Sequence, residues 1–474
     1  MTASGSPLLI ALNRDARIAT GPAGETTVEL RRLEIACSGS AAAPVLERLA
    51  NGGLPAADLF RFYCEDHGGD LLDCLALQHR LGEAGCLDYC LRIGGEEFAR
   101  LTWLTGGEIF DQRRLDPSAA YRLSRFAYLR RLGERFILET PLGRARVELS
   151  PAAAAALFRL AQGMSAADLA AQMLLPDAAT AQVFLALLAN ARALVAASGE
   201  QAEVEEKAPV GWWEFHDLLF HSRSRLGRHS NPYGGTFHRR SSDAPPSLLG
   251  APTSHPRIAL ERPDLDRLKR TDPPFCAVAE ARRSIRDYGP QAVTAAQLGE
   301  FLFRAARIQT LIPTGPDDLD YSFRPHPGGG AIHELVLYPV VGQAEGLARG
   351  LYRYDPLDHC LEALPCPAEN IDRLLELAWI TADRKSRPQI YFVLTARIGR
   401  LQWKYQSIAY AIVLKNVGAL YQTMYLTATA MGLAPCALGG GDSEFFAQAA
   451  GLDGYGEAAV GEFMLGTRER ALHA

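Results

Sequence analysis

"LQWKYQSIAYAIVLKNVGALYQTMYLTATAMGLAPCALGGG", residues 401–441, decides how the C-terminal half folds. From Ser407 to Met431 it reads as one helix built for burial, with Ile408, Ile412, Leu420, Met424 and Met431 marking apolar turns. Its length of about 25 residues spans roughly 37 Å at 1.5 Å per residue. Gly418 in mid-helix costs about 1 kcal/mol against Ala, which points to close contact with another element. Two proton-active side chains, Lys404 and Tyr405, stand at the mouth of this run. On the residues alone, a snorkelling lysine beside an interfacial tyrosine competes with an acid–base pair.

Working outward, the chain from about Thr271 reads as a compact α+β domain. Helical patterns cover Phe275–Arg282, Ala295–Arg307 and Ala368–Leu377, and strand patterns cover 333–341, 350–356, 389–398 and 459–467. No strand–Gly-x-Gly-x-x-Gly–helix unit and no P-loop occurs, which argues against a Rossmann or nucleotide-triphosphate domain. "ARRSIRDYG", 281–289, sets arginines around Ser284. Such a run is commonly a solvated face, but Arg-x-Ser-x-Arg can also wrap a phosphate with planar donor forks and a hydroxyl. "RPHPGGGAIHELVLY", 324–338, places three glycines before a strand, and "GLAPCALGGGDSEFF", 432–446, repeats the device after the long helix. Each is either a flexible loop or a backbone that must lie flat against a planar ligand. "GEFMLGTRER", 461–470, ends a strand in Gly-Thr-Arg. Two arginine segments and two glycine loops suit a ligand with an anionic end and a flat ring system.

The first half shows one plan twice. Strand-like 26–35 leads through helical 42–50, 56–66 and 71–85 to strand-like 87–93. Strand-like 125–149 leads through helical 151–163, 165–175 and 177–194. Strand and three short helices outline a winged-helix-like module, so the expectation is one module over 1–105 and a second over 106–200. Ser165 suits an N-cap, and Pro176-Asp177 marks a further helix start. Residues 201–270 read as linker and basic arm. From Leu218 to Ser242 there are five Arg, three His and no acid, which suits a solvated connector or a cationic strap near an anionic cofactor or peptide.

Composition narrows the function. The chain has 474 residues, 48% hydrophobic and 22% charged, with a formal net charge of −5. Residues 1–200 contain no lysine and carry 20 Arg against 23 acidic residues, so a nucleic-acid-reading face is not expected. No run of about 18 apolar residues occurs, so no membrane span is expected, and the start lacks the basic region of a signal peptide. The nine cysteines are irregularly spaced and read as reduced thiols of a cytoplasmic protein. Cys64, Cys74, Cys86 and Cys90 lie near His67 and His79, but without a tight Cys-x-x-Cys knuckle they read as structural thiols rather than zinc ligands.

Residues 275–468 resemble the FMN-dependent nitroreductase superfamily, and within it the SagB-type peptide dehydrogenases, or azoline oxidases, of ribosomal peptide maturation. "RRSIRDYG" is similar to the opening flavin motif. "HPGGGAIHELVLY" resembles the Pro-Ser-Gly-Gly loop and strand, with Gly328 where Ser is usual. The stretch from Lys404 to Gly441 resembles the Lys-Tyr element, helix and glycine loop. Other members carry an acidic-Gly-His pattern in mid-helix; Lys415-Asn416-Val417-Gly418-Ala419 stands there instead. The arm from Trp212 and the first half resemble extended members, whose winged-helix-like modules are related to precursor-peptide recognition elements.

The resemblance implies an antiparallel sheet with helices over 271–474 and an intertwined homodimer with FMN at its interface. It implies that Arg282, Ser284 and Arg468 hold the FMN phosphate, with Arg283 near the ribityl phosphate and Arg286 by the pyrimidine end. Gly328 and Gly329 would approach the ring from the partner subunit, and Gly439 and Gly440 would set backbone N–H groups near N5. The implied reaction turns a thiazoline or oxazoline in a precursor peptide into a thiazole or oxazole. One carbon yields a proton to Lys404 or Tyr405, and its neighbour yields a hydride to flavin. The implied partners are the precursor peptide and the cyclodehydratase of the same pathway. An NAD(P)H-dependent nitro or enone reductase, or a non-catalytic peptide-binding partner, are the competing readings.

Overall fold

Leu8–Leu12, an apolar pentapeptide, is nearly all buried and pairs antiparallel with Leu87–Leu91. Around it the computed structural model, which describes residues 7–21, 25–31, 33–39, 41–250 and 253–469, builds a seven-stranded antiparallel sheet. The strand order is Leu54–Pro55, Leu8–Leu12, Leu87–Ile93, Glu96–Trp103, Ala145–Leu149, Arg135–Glu139, Tyr128–Leu132. Contacts divide the chain into two units, one ending at Pro232 and the other beginning at Tyr233.

The helices of the first unit form where the sequence pattern sets them, and their caps are visible. Ser165 and Asp168 close a capping box on Ala166–Ala171, and Asp177 accepts from Thr180 N–H ahead of Ala178–Asn190. The segments expected as separate modules over 1–105 and 106–200 do not fold apart. Glu96–Trp103 pairs with Ala145–Leu149, and one apolar core runs from Leu8 to Ala193. The reason is that Ala99, Leu101 and Trp103 are fully buried, so this strand needs a neighbour on each edge.

The expected linker and arm, 201–270, is also more structured than its composition suggests. Phe215–Arg223 is a helix, and Arg223 and Arg228 donate to the carbonyls of Thr140 and Leu142. Arg240 pairs with Asp318 and lies over Phe237 and Trp403. These cations are engaged by carbonyls, aromatic rings and acids from elsewhere in their own units, partners a local sequence window does not contain.

A charged lattice crosses the first sheet. Arg100 bridges fully buried Asp88 at 2.9 Å and Glu97 at 2.5 Å, and Glu97 in turn meets Arg14 and Arg135. Burial pushes the Asp88 carboxyl up to about 6 despite Arg100. Arg100→Met should therefore destabilise this unit by about 3–5 kcal/mol, because it strands a buried carboxylate. Urea unfolding monitored on the first unit checks this, and Arg100→Met with Asp88→Leu should recover much of the loss.

The second unit holds the expected antiparallel sheet with helices, in the order Arg257–Ala259, Cys360–Leu364, Gly350–Asp355, Leu335–Val341, Ile390–Arg397, Glu457–Thr467, Leu433–Leu438. Across it lies the central helix, Ala409–Ala430, slightly shorter than the expected 407–431. Lys404 closes a separate short helix, Ile398–Lys404. Short strands at Arg257–Ala259 and Cys360–Leu364 and a helix at Ser443–Ala450 were not legible in the sequence pattern. All nine cysteines are free, and burial pushes Cys74 up to about 11 and Cys86 and Cys90 up to about 12. Among the described residues no cluster of three or more His, Cys, Asp or Glu is arranged to hold a metal.

Candidate active site

The two arginine segments, about 180 residues apart in sequence, meet at the edge strand Leu433–Leu438. Ile285 N–H donates to Pro435 O at 2.9 Å, and Arg468 Nε donates to Leu433 O at 2.9 Å. Ser284 Oγ lies 2.8 Å from Tyr425 Oη, which also accepts from Ala437 N–H. The Arg282 guanidinium sits 5.3 Å over the Tyr425 ring. None of Arg282, Arg283, Arg286 or Arg468 has an ion-pair partner among the described residues, and Arg468 Nη2 is buried without an acceptor. The ensemble is a cationic cradle short of an anion. Arg283 does not converge with the rest: it is exposed and bonds back to the carbonyls of Glu280 and Arg282.

Lys404 is held by a frame the sequence did not reveal. Its carbonyl accepts from Thr236 and Phe237 N–H, which fixes the backbone. Its Nζ stands over Tyr321, Phe237 and Tyr405 at 5.1, 5.3 and 5.6 Å from the ring centroids. A Cβ on Gly235 would lie 3.1 Å from Lys404 Cε, so glycine there gives the lysine its room. Burial pushes the Tyr405 phenol above its ordinary value. Tyr405 is therefore protonated at neutral pH.

The loop Gly328–Gly330 meets this pair. Gly330, at φ +64, would carry a Cβ 2.5 Å from Tyr405 Oη and 3.4 Å from Lys404 Nζ. A Cβ on Gly329 would strike Ile412 at 2.3 Å, and one on Gly328 would meet His333 Nδ1 at 2.8 Å. The glycines are thus required by packing within the chain, before any ligand is considered. Gly329 N–H is taken by Asn416 Oδ1 at 3.0 Å, and Asn416 Nδ2 donates to both oxygens of buried Glu334. Gly439 and Gly440, in contrast, are exposed with open space on their Cβ sides. The central helix separates these groups: Ile412 touches the first loop and Tyr425 the arginine cradle, 13 residues or about 20 Å along the axis. No atom within 4 Å would meet a Cβ on Gly418, so the close contact expected there is not made within the chain.

Glu462, also unforeseen, lies against the second glycine loop. A Cβ on Gly441 would be 2.7 Å from its Oε1, and burial holds its carboxyl up to about 7. A glutamate in an unfolded chain titrates near 4.5, so the folded state holds the extra proton between those values. The contribution is full below pH 4.5 and is lost as pH rises through about 7. Glu462→Gln should remove that slope and be the more stable protein at pH 8 by on the order of 2 kcal/mol. Denaturation midpoints of both proteins at pH 5 and pH 8 measure it.

Comparison with known proteins finds similarities on both units. Residues 279–467 match the nitroreductase family profile, and residues 121–230 match that of the cyanobactin oxidase ThcOx. The putative nitroreductase MJ1384 of Methanocaldococcus jannaschii is 26% identical over 182 residues, 38% of this chain and 84% of that protein. The trifolitoxin-processing protein TfxB of Rhizobium leguminosarum bv. trifolii is 28% identical over 110 residues, 23% of this chain and 30% of that protein. Among solved structures, a chain of the E. coli microcin synthetase McbBCD complex with truncated pro-MccB17 bound is 20% identical, with a TM-score of 0.34 over 49% of this chain and 91% of that one.

FMN is the cofactor of a nitroreductase domain, and the residues present fit it. Unpaired guanidinium groups with a buried donor lacking an acceptor suit a phosphate, and an open glycine loop beside them suits a flat ring. With the nitroreductase profile on its second unit and the cyanobactin oxidase profile on its first, the chain carries a nitroreductase-family domain over 279–467 and is similar, as its motifs are, to the SagB-type oxidases.

Proposed function

We propose that this protein oxidises thiazoline or oxazoline rings to thiazoles or oxazoles in a ribosomally made precursor peptide. The observation that carries the reading is the Lys404–Tyr405 pair, seated in an aromatic cradle against the Gly328–Gly330 loop. FMN, when bound, would supply the two-electron acceptor. Arg282, Ser284 and Arg468 would hold its phosphate, with Arg286 by its pyrimidine end and Gly439 and Gly440 near N5. A fixed guanidinium there would favour the negative charge of a reduced ring. Lys404 would take the ring proton, and Tyr405, protonated by burial, would orient the site by donating its O–H.

A homodimer fits the spacing. The Lys404 frame and the arginine cradle lie at opposite ends of one helix, so the frame of one copy would face the flavin held by the other. The outer face of the central helix, where Leu414 is 41% exposed and Gly418 stands open, would seat the second copy. The first unit would hold the precursor peptide through its winged-helix-like segments, a role supported by the cyanobactin oxidase match over 121–230. A cyclodehydratase of the same pathway would supply the azoline, in the cytoplasm.

Mass spectrometry of an azoline-bearing peptide incubated with the FMN-loaded protein tests the reading. Loss of two hydrogens per ring supports it. Unchanged peptide, together with steady NADPH-driven reduction of a quinone, would replace it with a nitro or enone reductase.

A further inference from the structure

The turn that closes the Gly328–Gly330 loop, from Gly330 to His333, is held in an unfavourable backbone shape. Gly330, Ala331 and His333 have φ of +64, +56 and +49. For Ala331 and His333 this left-handed region is costly, because Cβ crowds the following carbonyl. Such a shape persists only where the surroundings over-determine it. Ile332, between them, is fully buried and anchors the turn.

Fully buried Arg400 donates to Ile332 O at 2.9 Å at the far side of the turn, and a second polar chain holds the near side. Glu334, 1% exposed, accepts from Asn416 Nδ2 at 3.0 and 3.1 Å. Asn416, 7% exposed and on the central helix, accepts Gly329 N–H at 3.0 Å. The partners fix the amide's orientation, since a carboxylate needs a donor and an N–H needs an acceptor. Glu334 is itself tied down, because Arg397 N–H donates to its carbonyl at 3.0 Å. Beyond the loop, Gly330 abuts Tyr405 and Lys404. The sequence therefore runs from buried acid to helix amide to glycine backbone to proton-handling pair. A buried carboxylate and amide are expensive to keep where an apolar pair would pack.

We propose that Asn416 and Glu334 are positioning residues that lock the Gly328–Gly330 loop ahead of its strained turn, so that Lys404 and Tyr405 meet the bound ring and substrate in a fixed geometry. This rests on the proposed oxidation at the same site. The lock also determines how the loop can meet a ligand. Gly329 N–H is already engaged, so its contact with a ring is through its Cα face and not through a donated hydrogen bond.

The test uses the full-length FMN-loaded protein. Asn416→Leu keeps the side-chain size and removes all three bonds. Amide hydrogen exchange over 328–331 should rise at least tenfold, and kcat on an azoline peptide should fall about tenfold to a hundredfold with KM and FMN content little changed. A collapse in FMN content or folding would leave that variant uninformative, so a charge swap is measured beside it. Asn416→Asp sets a second carboxyl against Glu334, and the two would have to share a proton. Arg324 and Arg400 face Glu334 from the neighbouring loop and helix, and burial is the larger influence on it. Turnover by Asn416→Asp should therefore fall as pH rises, unlike that of the unaltered protein. Asn416→Asp with Glu334→Gln exchanges donor and acceptor and should restore both rate and amide protection. Unchanged exchange over 328–331 in Asn416→Leu overturns the proposal, as does failure of the swap to restore protection. Hydrogen exchange reads the lock without any azoline turnover, so failure of the oxidation reading alone would leave protection altered and peptide unchanged.

Discussion

Lys404→Ala and Tyr405→Phe should each yield a yellow, folded protein whose azoline oxidation has fallen about a hundredfold or more, the usual consequence of losing a positioned acid–base group. Folding should survive because the Lys404 carbonyl, and not its side chain, receives the Thr236 and Phe237 amides. FMN should stay because the arginine cradle lies about 20 Å along the central helix from this frame within the chain. Burial keeps Tyr405 protonated through the neutral range, so its removal should cost a hydrogen bond at every pH tested within that range. The double variant should be little worse than the worse single one, since groups acting as a unit are not additive. Near-unaltered turnover by either single variant, with flavin intact, would remove that residue from the proton step.

Arg282→Ala and Arg468→Ala should give protein that loses most of its FMN on desalting. A hydrogen bond to a charged group contributes about 1.5–3 kcal/mol, so each loss should weaken FMN binding roughly tenfold to a hundredfold. Arg468→Lys should recover charge but not the planar fork and fall between. Arg283→Ala is the control within the same motif. Its guanidinium bonds to carbonyls of its own segment, so FMN content should hardly change. Flavin absorbance per protein and fluorescence titration measure all four. Full FMN in both alanine variants would remove the phosphate assignment.

Sequence alone determined whatever local pattern governs. The buried helix after Tyr405 was legible because apolar residues recur at helical spacing with no proline and a single glycine. Ser165 and Asp177 were legible as helix starts because a cap is a local hydrogen bond. The arginine and glycine segments were legible as candidates because each is a short local motif, whereas the packing that requires Gly328–Gly330 within the chain was not.

Only the tertiary structure decided what depends on distant partners. It merged the two repeat-like segments into one sheet, because a strand buried on both faces must be paired across whatever gap the chain presents. It turned the basic arm into packed structure, because carbonyls and acids many residues away receive its cations. It separated Arg283 from the arginines that converge, a distinction carried by the direction of a side chain and not by its type. Tyr321, Phe237, Tyr425, Asn416, Glu334 and Glu462 lay beyond sequence reading for the same reason: each is an ordinary core residue until a partner from another element arrives. Burial also sets the state of Tyr405, since the desolvation that raises it is a property of the folded surroundings that no adjacent lysine in the sequence discloses.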